Sequence, residues 1–505
     1  MINQRLLFAR AYEKAVGPEI APISRPVFHF TPWIGWMNDP NGFSWYRGQY
    51  HLFYQYNPYD VHWDAMHWGH AVSRDLLHWT YLPCALAPDE RYDCFGVFSG
   101  SAVEMQDGRQ LLMYTGVRKD GGEKGSGDIQ AQCVAVGDGM DYHKIDANPV
   151  LGASCLPEWG SIHDFRDPKV WREADGSYRC VAGTRDKDRN GALLLFSSPD
   201  GFAWRFESVL VKNDGRLGRM WECPDFFRLD GKAVVLVSPQ DMLPDGREYA
   251  SGNGTVCMIG TFDEQQGKFI PERDQAVDCG IDFYAPQTTL TPDGRRVMIA
   301  WMQNWETSRP EKEGSRWFGQ MTLPRELSVR DGRLYQQPIR ELAGCRSGRV
   351  EYRDVHFSGE LALEGIAGRV ADLEIHVRAA DPGAPYARFT LRFAQDGKYH
   401  TDLTFRPRES LLEIDRRFSG TRRAFVHQRC ARVAGRDGDI RLRVILDRFS
   451  AEVFVNDGAQ AMTVTIPTDM AAEGISFFTE GRSVMDVVKY SLFAEEQPAE
   501  TAACQ

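Results

Sequence analysis

The chain has 505 residues, too many for one hydrophobic core, since single cores stop growing at roughly 250–300 residues; two domains are therefore expected. Its formal charge of −11 disfavours nucleic acid and anionic membranes, which recruit clustered Lys and Arg, and favours a neutral small molecule. Eleven cysteines with no C-x-x-C pair point to neither a disulfide framework nor a zinc site, so reduced thiols in a cytoplasm are the expected state.

Residues 1–27 read as an N-terminal extension with one helical stretch around Leu6–Val16. Only four apolar residues lie between Arg5 and Arg10, short of the roughly 7–15 of a secretory signal. Nor does any apolar run approach the ~18 residues needed to cross a bilayer.

From 28 to 337 the chain is a succession of short aromatic and β-branched runs separated by Gly, Pro, Asn and Asp, which is an all-β pattern. Five hairpin signals recur, Arg47-Gly48, Asp107-Gly108, Asp175-Gly176, Asp230-Gly231 and Asp293-Gly294, at intervals of 60, 68, 55 and 63 residues. An apolar strand follows each, as in Leu111-Leu112-Met113-Tyr114 and Ala233-Val234-Val235-Leu236-Val237. A period of that length holds four strands, so the expected fold is a five-bladed β-propeller around a channel. A second echo, S-x-D-x-x-x-W, occurs at Ser73–Trp79 and Ser198–Trp204, where the Asp is expected to cap a turn and the Trp to pack between blades. Residues 338–346 form a linker. Alternating runs such as Ala371–Val377 and Ile440–Leu446 then predict a β-sandwich over 347–494, followed by a disordered polar tail at 495–505.

Nine residues before each turn glycine stand Asp39, Ser99, Asp167, Glu222 and Ala285, and three of these five are carboxylates. If the hairpins are equivalent, the three acids face one end of the channel. Glycoside hydrolysis needs one carboxylic acid to protonate the leaving oxygen and one carboxylate to attack, or to activate water, at the anomeric carbon. Asp39 lies in an Asp-Pro-Asn-Gly bend after Asn38, a setting that by itself is usually only a turn. Asp167 follows Arg166, which either holds it ionised or clamps sugar hydroxyls; a surface salt bridge is the plain alternative. Glu222 sits between Trp221 and Cys223, and a carboxyl in such apolar company beside two other acids is expected to keep its proton. Gln55, Trp63, Phe98, Ser99, Asp282 and Tyr284 supply hydrogen bonding and stacking. The histidines of His62-x4-His67-x2-His70 are read as structural, so no metal and no cofactor is expected.

These residues resemble glycoside hydrolase family 32, the invertase, sucrose-6-phosphate hydrolase and fructanase group, over nearly the whole chain. Trp36-Met37-Asn38-Asp39-Pro40-Asn41-Gly42 resembles the family's nucleophile motif, Arg166-Asp167-Pro168 its transition-state stabiliser motif and Glu222-Cys223 its acid/base motif. Phe98–Ser101, Asp282–Gln287 and Trp317–Arg325 resemble further family segments, and Asp447–Gly458 its C-terminal signature. The resemblance implies a propeller followed by a sandwich, and a retaining β-fructofuranosidase acting on sucrose, sucrose 6-phosphate or short fructo-oligosaccharides. It also implies that Asn38, Gln55, Trp63, Phe98, Ser99, Arg166, Asp282 and Tyr284 line the fructosyl subsite. The segment His67–Ser73 resembles the phosphosugar branch. A fructosyltransferase would need the same three acids. A noncatalytic sugar-binding propeller and an inverting glycosidase are the other readings; the intact acid set opposes the first, and the Asn38-Asp39-Pro40 context opposes the second. The sandwich offers a surface for self-association.

Overall fold

A computed structural model describes residues 4–120, 127–308, 314–421 and 426–493; the tail expected to be disordered lies outside them. Five four-stranded antiparallel meanders form the blades of a propeller. Blade 1 comprises strands Gly35–Tyr46, Gln49–Asn57, His67–Ser73 and Trp79–Leu86, and blade 2 begins with Gly96–Glu104 and Gln110–Lys119. Blades 3, 4 and 5 begin with Arg166–Arg172, Trp221–Leu229 and Tyr284–Leu290, each paired to the strand that follows its turn glycine. The second strands are buried almost throughout, because blades cover them on both faces; Lys232–Pro239 is a run of Val and Leu for that reason.

The five turns are of two lengths. Arg47-Gly48 and Asp230-Gly231 close two-residue hairpins, and all four residues have positive φ, as a type I′ turn requires. The other three are longer by one residue: Met105, Glu173 and Thr291 donate their N–H to the carbonyls of Arg109, Ser177 and Arg295. Each inner strand also carries a register irregularity at the same depth, between Met37 and Pro40, Phe98 and Gly100, Arg166 and Lys169, Glu222 and Asp225, and Tyr284 and Gln287. A bulge leaves one ladder position unpaired and re-aims the neighbouring side chains. Proline has no N–H to strand there, and the residues at this depth include Pro40, Pro168, Pro224 and Pro286, with Gly100 in blade 2.

The S-x-D-x-x-x-W echo is a capped turn twice over. Asp75 Oδ1 accepts from the backbone of Leu77 and His78, and Asp200 Oδ1 from Phe202 and Ala203, while Trp79 and Trp204 Nε1 donate to the carbonyls of Leu76 and Gly201.

The ring closes at a seam between blades 5 and 1. Trp317-Phe318, from the segment after the second strand of blade 5, pairs in parallel with Gly35-Trp36, and Met321 N–H donates to the Phe30 carbonyl. Beyond the 3-10 turn Arg340–Cys345, one continuous sheet folds over itself into a sandwich-like barrel. Its long strand Gly474–Leu492 pairs with Arg388–Gln395 through its first half and with Ala371–Ala379 through its second. Leu373, Phe389, Leu403, Val444 and Phe477 fill the core between the layers.

Propeller and sandwich meet through buried charge. Arg325, fully buried, pairs with Asp278 at 3.0 Å and with Glu452 at 2.5 Å. His29 bridges Glu452 and Asp447 at 2.9 and 2.8 Å, and Asp447 also accepts the N–H groups of Val27, Phe28 and His29. Such pairs are costly to bury unless fully hydrogen-bonded, and these are.

Candidate active site

The irregular register of the inner strands produces two tiers of side chains at one end of the channel. Phe98, Arg166, Glu222 and Tyr284 are the last paired residues before the irregularity, opposite Thr115, Gly183, Ser238 and Trp301. Asp39, Ser99, Asp167, Cys223 and Ala285 lie inside it; the last three have φ of 64°, 47° and 52°. The expected equivalence of the five positions therefore holds for four blades and is one residue out in blade 4, where Cys223 rather than Glu222 takes the bulged place. The cause is turn length. Counting back from the glycine adds one residue in a two-residue hairpin, and blade 1 recovers it through a second irregularity between Asn41 and Ser44 that blade 4 lacks.

Contacts tie the acids together. Asp39 Oδ2 accepts from Ser99 Oγ at 2.8 Å and from Cys223 Sγ at 3.4 Å. Its Oδ1 is buried with no hydrogen-bond partner among the described residues. Asp167 Oδ2 accepts the Cys223 N–H at 2.8 Å, and its own N–H donates to Thr115 Oγ1. The expectation of an apolar setting for Glu222 is not met: Arg166 Nη2 donates to Oε1 at 3.0 Å and the Tyr284 hydroxyl to Oε2 at 2.6 Å. Trp221 and Cys223, the neighbours that suggested it, are buried in separate clusters while the carboxyl meets a cation and a phenol. Arg166 is held in turn by Asp164 and Gln130, both at 3.3 Å.

Burial pushes Asp39 up, Glu222 adding to the effect and the hydrogen bonds from Ser99 and Cys223 opposing it. Burial likewise takes Asp167 up to about 7, against the pull of Arg166.

The remaining expected residues fall in different places. Asn38 accepts from Trp36 Nε1 at 2.7 Å, and Trp36 stacks on Phe318 with ring centroids 5.0 Å apart, giving an aromatic support under the strand that carries Asp39. Gln55 is buried and links blade 1 to blade 2 through Val97 O at 3.0 Å. Trp63, 39% exposed, meets Phe98 edge-on at 5.7 Å and forms the rim. Asp282 does not join them. It is fully buried, and its carboxylate is taken up by Arg416 at 2.7 Å, by the N–H and hydroxyl of Thr465, and by Thr307. Its role is a contact between propeller and sandwich, which its adjacency to Tyr284 in sequence concealed. Cys223, which touches two of the acids, was read in sequence only as a neighbour of Glu222; the turn lengths alone would have exposed it. His62, His67 and His70 each find a separate partner, in Asp60, the Ala65 carbonyl and His51.

The model for the glycosyl hydrolases family 32 N-terminal domain matches residues 29–338, and that for the glycosyl hydrolases family 32 C terminal matches residues 341–493. A sucrose-6-phosphate hydrolase of Escherichia coli is 36% identical, over 87% of this chain and 89% of its own length. A raffinose invertase of Escherichia coli is 35% identical, over 94% and 96%. Among solved structures, a variant of the Bombyx mori β-fructofuranosidase in complex with sucrose superposes with a TM-score of 0.80 at 32% identity, covering 98% of this chain and 99% of that one.

Proposed function

The chain belongs to glycosyl hydrolase family 32, and from that premise we propose how its own residues cleave a fructosyl bond. It is a β-fructofuranosidase, a sucrose-cleaving hydrolase with a small sugar as substrate. Asp39 is the nucleophile, attacking the fructosyl anomeric carbon through Oδ1, the oxygen with no hydrogen-bond partner among the described residues. Glu222 donates its proton to the departing glycosidic oxygen, so that the glucose part leaves as an alcohol and a covalent fructosyl-enzyme remains. It then takes a proton from the water that attacks the same carbon, and Asp39 is released. Asp167 hydrogen-bonds ring hydroxyls and stabilises the positive charge of the transition state more than the ground state. Arg166 and the Tyr284 hydroxyl orient the Glu222 carboxyl. Retention of configuration follows from the double displacement.

The observation that carries this reading is Cys223. Its thiol touches Asp39, its N–H holds Asp167 and its preceding residue is Glu222, so one bulge indexes all three acids to each other. The test is a side-by-side measurement of kcat/KM on sucrose, sucrose 6-phosphate, 1-kestose and inulin, with Glu222→Gln as control. We expect the variant to lose at least about 10²-fold on sucrose, the lower end of general acid/base contributions. An undiminished rate in the variant removes Glu222 from the mechanism. The leaving sugar's phosphorylation is read from the ratio of the first two substrates. Product analysis at high sucrose is expected to give free fructose; longer oligosaccharides instead would make transfer the main reaction.

A further inference from the structure

Many arginines hold carboxylates, Arg166, Arg295, Arg325, Arg346 and Arg443 among them, and others, such as Arg25, Arg369 and Arg448, are taken up by backbone carbonyls. Arg333, Arg432 and Arg436 form no ion pair among the described residues, and all three line one cavity of about 580 Å³. The cavity lies where the last blade faces the sandwich. Arg333 comes from the blade 5 strand Arg333–Pro338, Arg432 ends the sandwich strand Gln428–Arg432, and Arg436 follows in the next loop.

Other polar groups there are also uncommitted. Arg333 Nε and Gln460 Oε1 are buried without hydrogen-bond partners among the described residues, whereas Arg436 Nε donates to Ser410 Oγ at 3.2 Å. Glu248 and Glu409 are the carboxylates of the lining, and Glu409 is engaged 3.5 Å from Arg247. Among the described residues, three guanidinium groups of the lining and one carboxylate, Glu248, form no ion pair, which leaves a local cationic excess on a chain whose net charge is −11. Planar guanidinium forks favour phosphate oxygens, which they engage in bidentate fashion. The volume falls within the range of small-molecule sites.

We propose that this cavity is a binding site for a small phosphorylated metabolite of hexose-phosphate size, separate from the catalytic acids and formed jointly by propeller and sandwich. Arg432 and Arg436 grip the phosphate from the sandwich side. Arg333 completes the site from the propeller, and the Gln460 carbonyl oxygen accepts from a ligand hydroxyl. A ligand held by both domains stabilises their association by mass action, so occupancy raises thermal stability.

The test uses the full chain and two probes, inorganic phosphate and glucose 6-phosphate, with glucose and chloride at matched ionic strength as controls. Binding is followed by calorimetry and by the thermal midpoint, in the wild type and in Arg432→Gln/Arg436→Gln. Arg432 and Arg436 are exposed and belong to the sandwich, whereas the acids stand on propeller strands, so unchanged sucrose kcat/KM certifies the fold. Saturable binding of glucose 6-phosphate with a raised midpoint, weakened by roughly tenfold or more in the double variant, is the expected result. A tighter hold on glucose 6-phosphate than on inorganic phosphate supports a site shaped for the sugar as well. The proposal is overturned if the wild type binds neither probe saturably, or if the double variant binds them equally well. Charge reversal at Arg333→Glu gives an independent arm, and should abolish the midpoint shift while leaving sucrose turnover intact.

Discussion

A carboxylate that attacks carbon needs one oxygen fixed and the other free, and Asp39 is arranged in that way. Ser99 and Cys223 hold Oδ2, and Oδ1 is left without a partner among the described residues. Replacing Ser99 by Ala removes an orienting bond worth about 1.5–3 kcal/mol as a charged hydrogen bond, so kcat on sucrose is expected to drop by roughly 10- to 100-fold with KM little changed. Tyr284→Phe acts on Glu222 in the same range, and its signature is a displaced pH profile of kcat. Asp167 shows the cost of the site. Burial raises its pKa from the ordinary carboxylate value to about 7, so the folded state binds its proton more tightly than the unfolded chain. Stability from this group is therefore present at low pH and lost as pH rises from about 4 to 7. Asp167→Asn is accordingly expected to raise the thermal midpoint at pH 8 while kcat/KM collapses, a trade of activity against stability visible in one calorimetric scan and one assay. For the same reason the acid limb of the wild-type kcat/KM profile should have its midpoint above the ordinary carboxylate range, displaced towards 7.

At the level of the strand, the site is a set of bulges. Gly100 shows how tightly they are packed, because a Cβ there would stand 2.0 Å from the Met113 carbonyl. Gly100→Ala should consequently push Ser99 off Asp39 and lower both stability and sucrose turnover, and circular dichroism against activity at rising temperature will show the two losses together. Much of this was legible in sequence. The recurring turn glycines gave the blade number, and the Pro that follows Asp39, Asp167, Cys223 and Ala285 is the mark of the bulge itself. The displaced register of blade 4 was not legible, because a sequence shows the turn glycine but not whether two or three residues span the turn. Glu222 was selected through a count that fails in its own blade by one. It is nonetheless a carboxylate at the channel, since the residue before each bulge faces the same end as the residue within it. Asp282 failed for a different reason: its charge satisfies a partner 134 residues away, Arg416, and local sequence carries no trace of so distant a contact.

For the whole molecule, the buried charges between the domains set the pH window of stability. His29, fully buried, is raised from 6.5 to about 9; burial itself lowers it, and the hydrogen bonds and charges of Asp447 and Glu452 prevail. A raised histidine contributes fully below its unfolded value and loses that contribution as pH rises through the folded value. The interface should therefore weaken between about pH 6.5 and 9, by on the order of 3 kcal/mol. Asp447 and Glu452 are shifted down, so their contribution disappears towards acid. Urea midpoints measured from pH 4 to 10 should be highest on the mildly acidic side, below about pH 6.5, and fall through about pH 9 in the wild type, and His29→Gln should flatten that alkaline fall. These contacts have a mechanical meaning as well. Each blade is drawn from one contiguous stretch of chain, so the propeller is a split washer whose two ends are held by Trp317-Phe318 against Gly35-Trp36 and by the Asp447 grip on residues 27–29. Prised apart, the washer opens at that slit, and the slit runs beside the strand that bears Asp39. Asp39 departs with one lip while Glu222 stays with the other, so the acids part while every blade still stands.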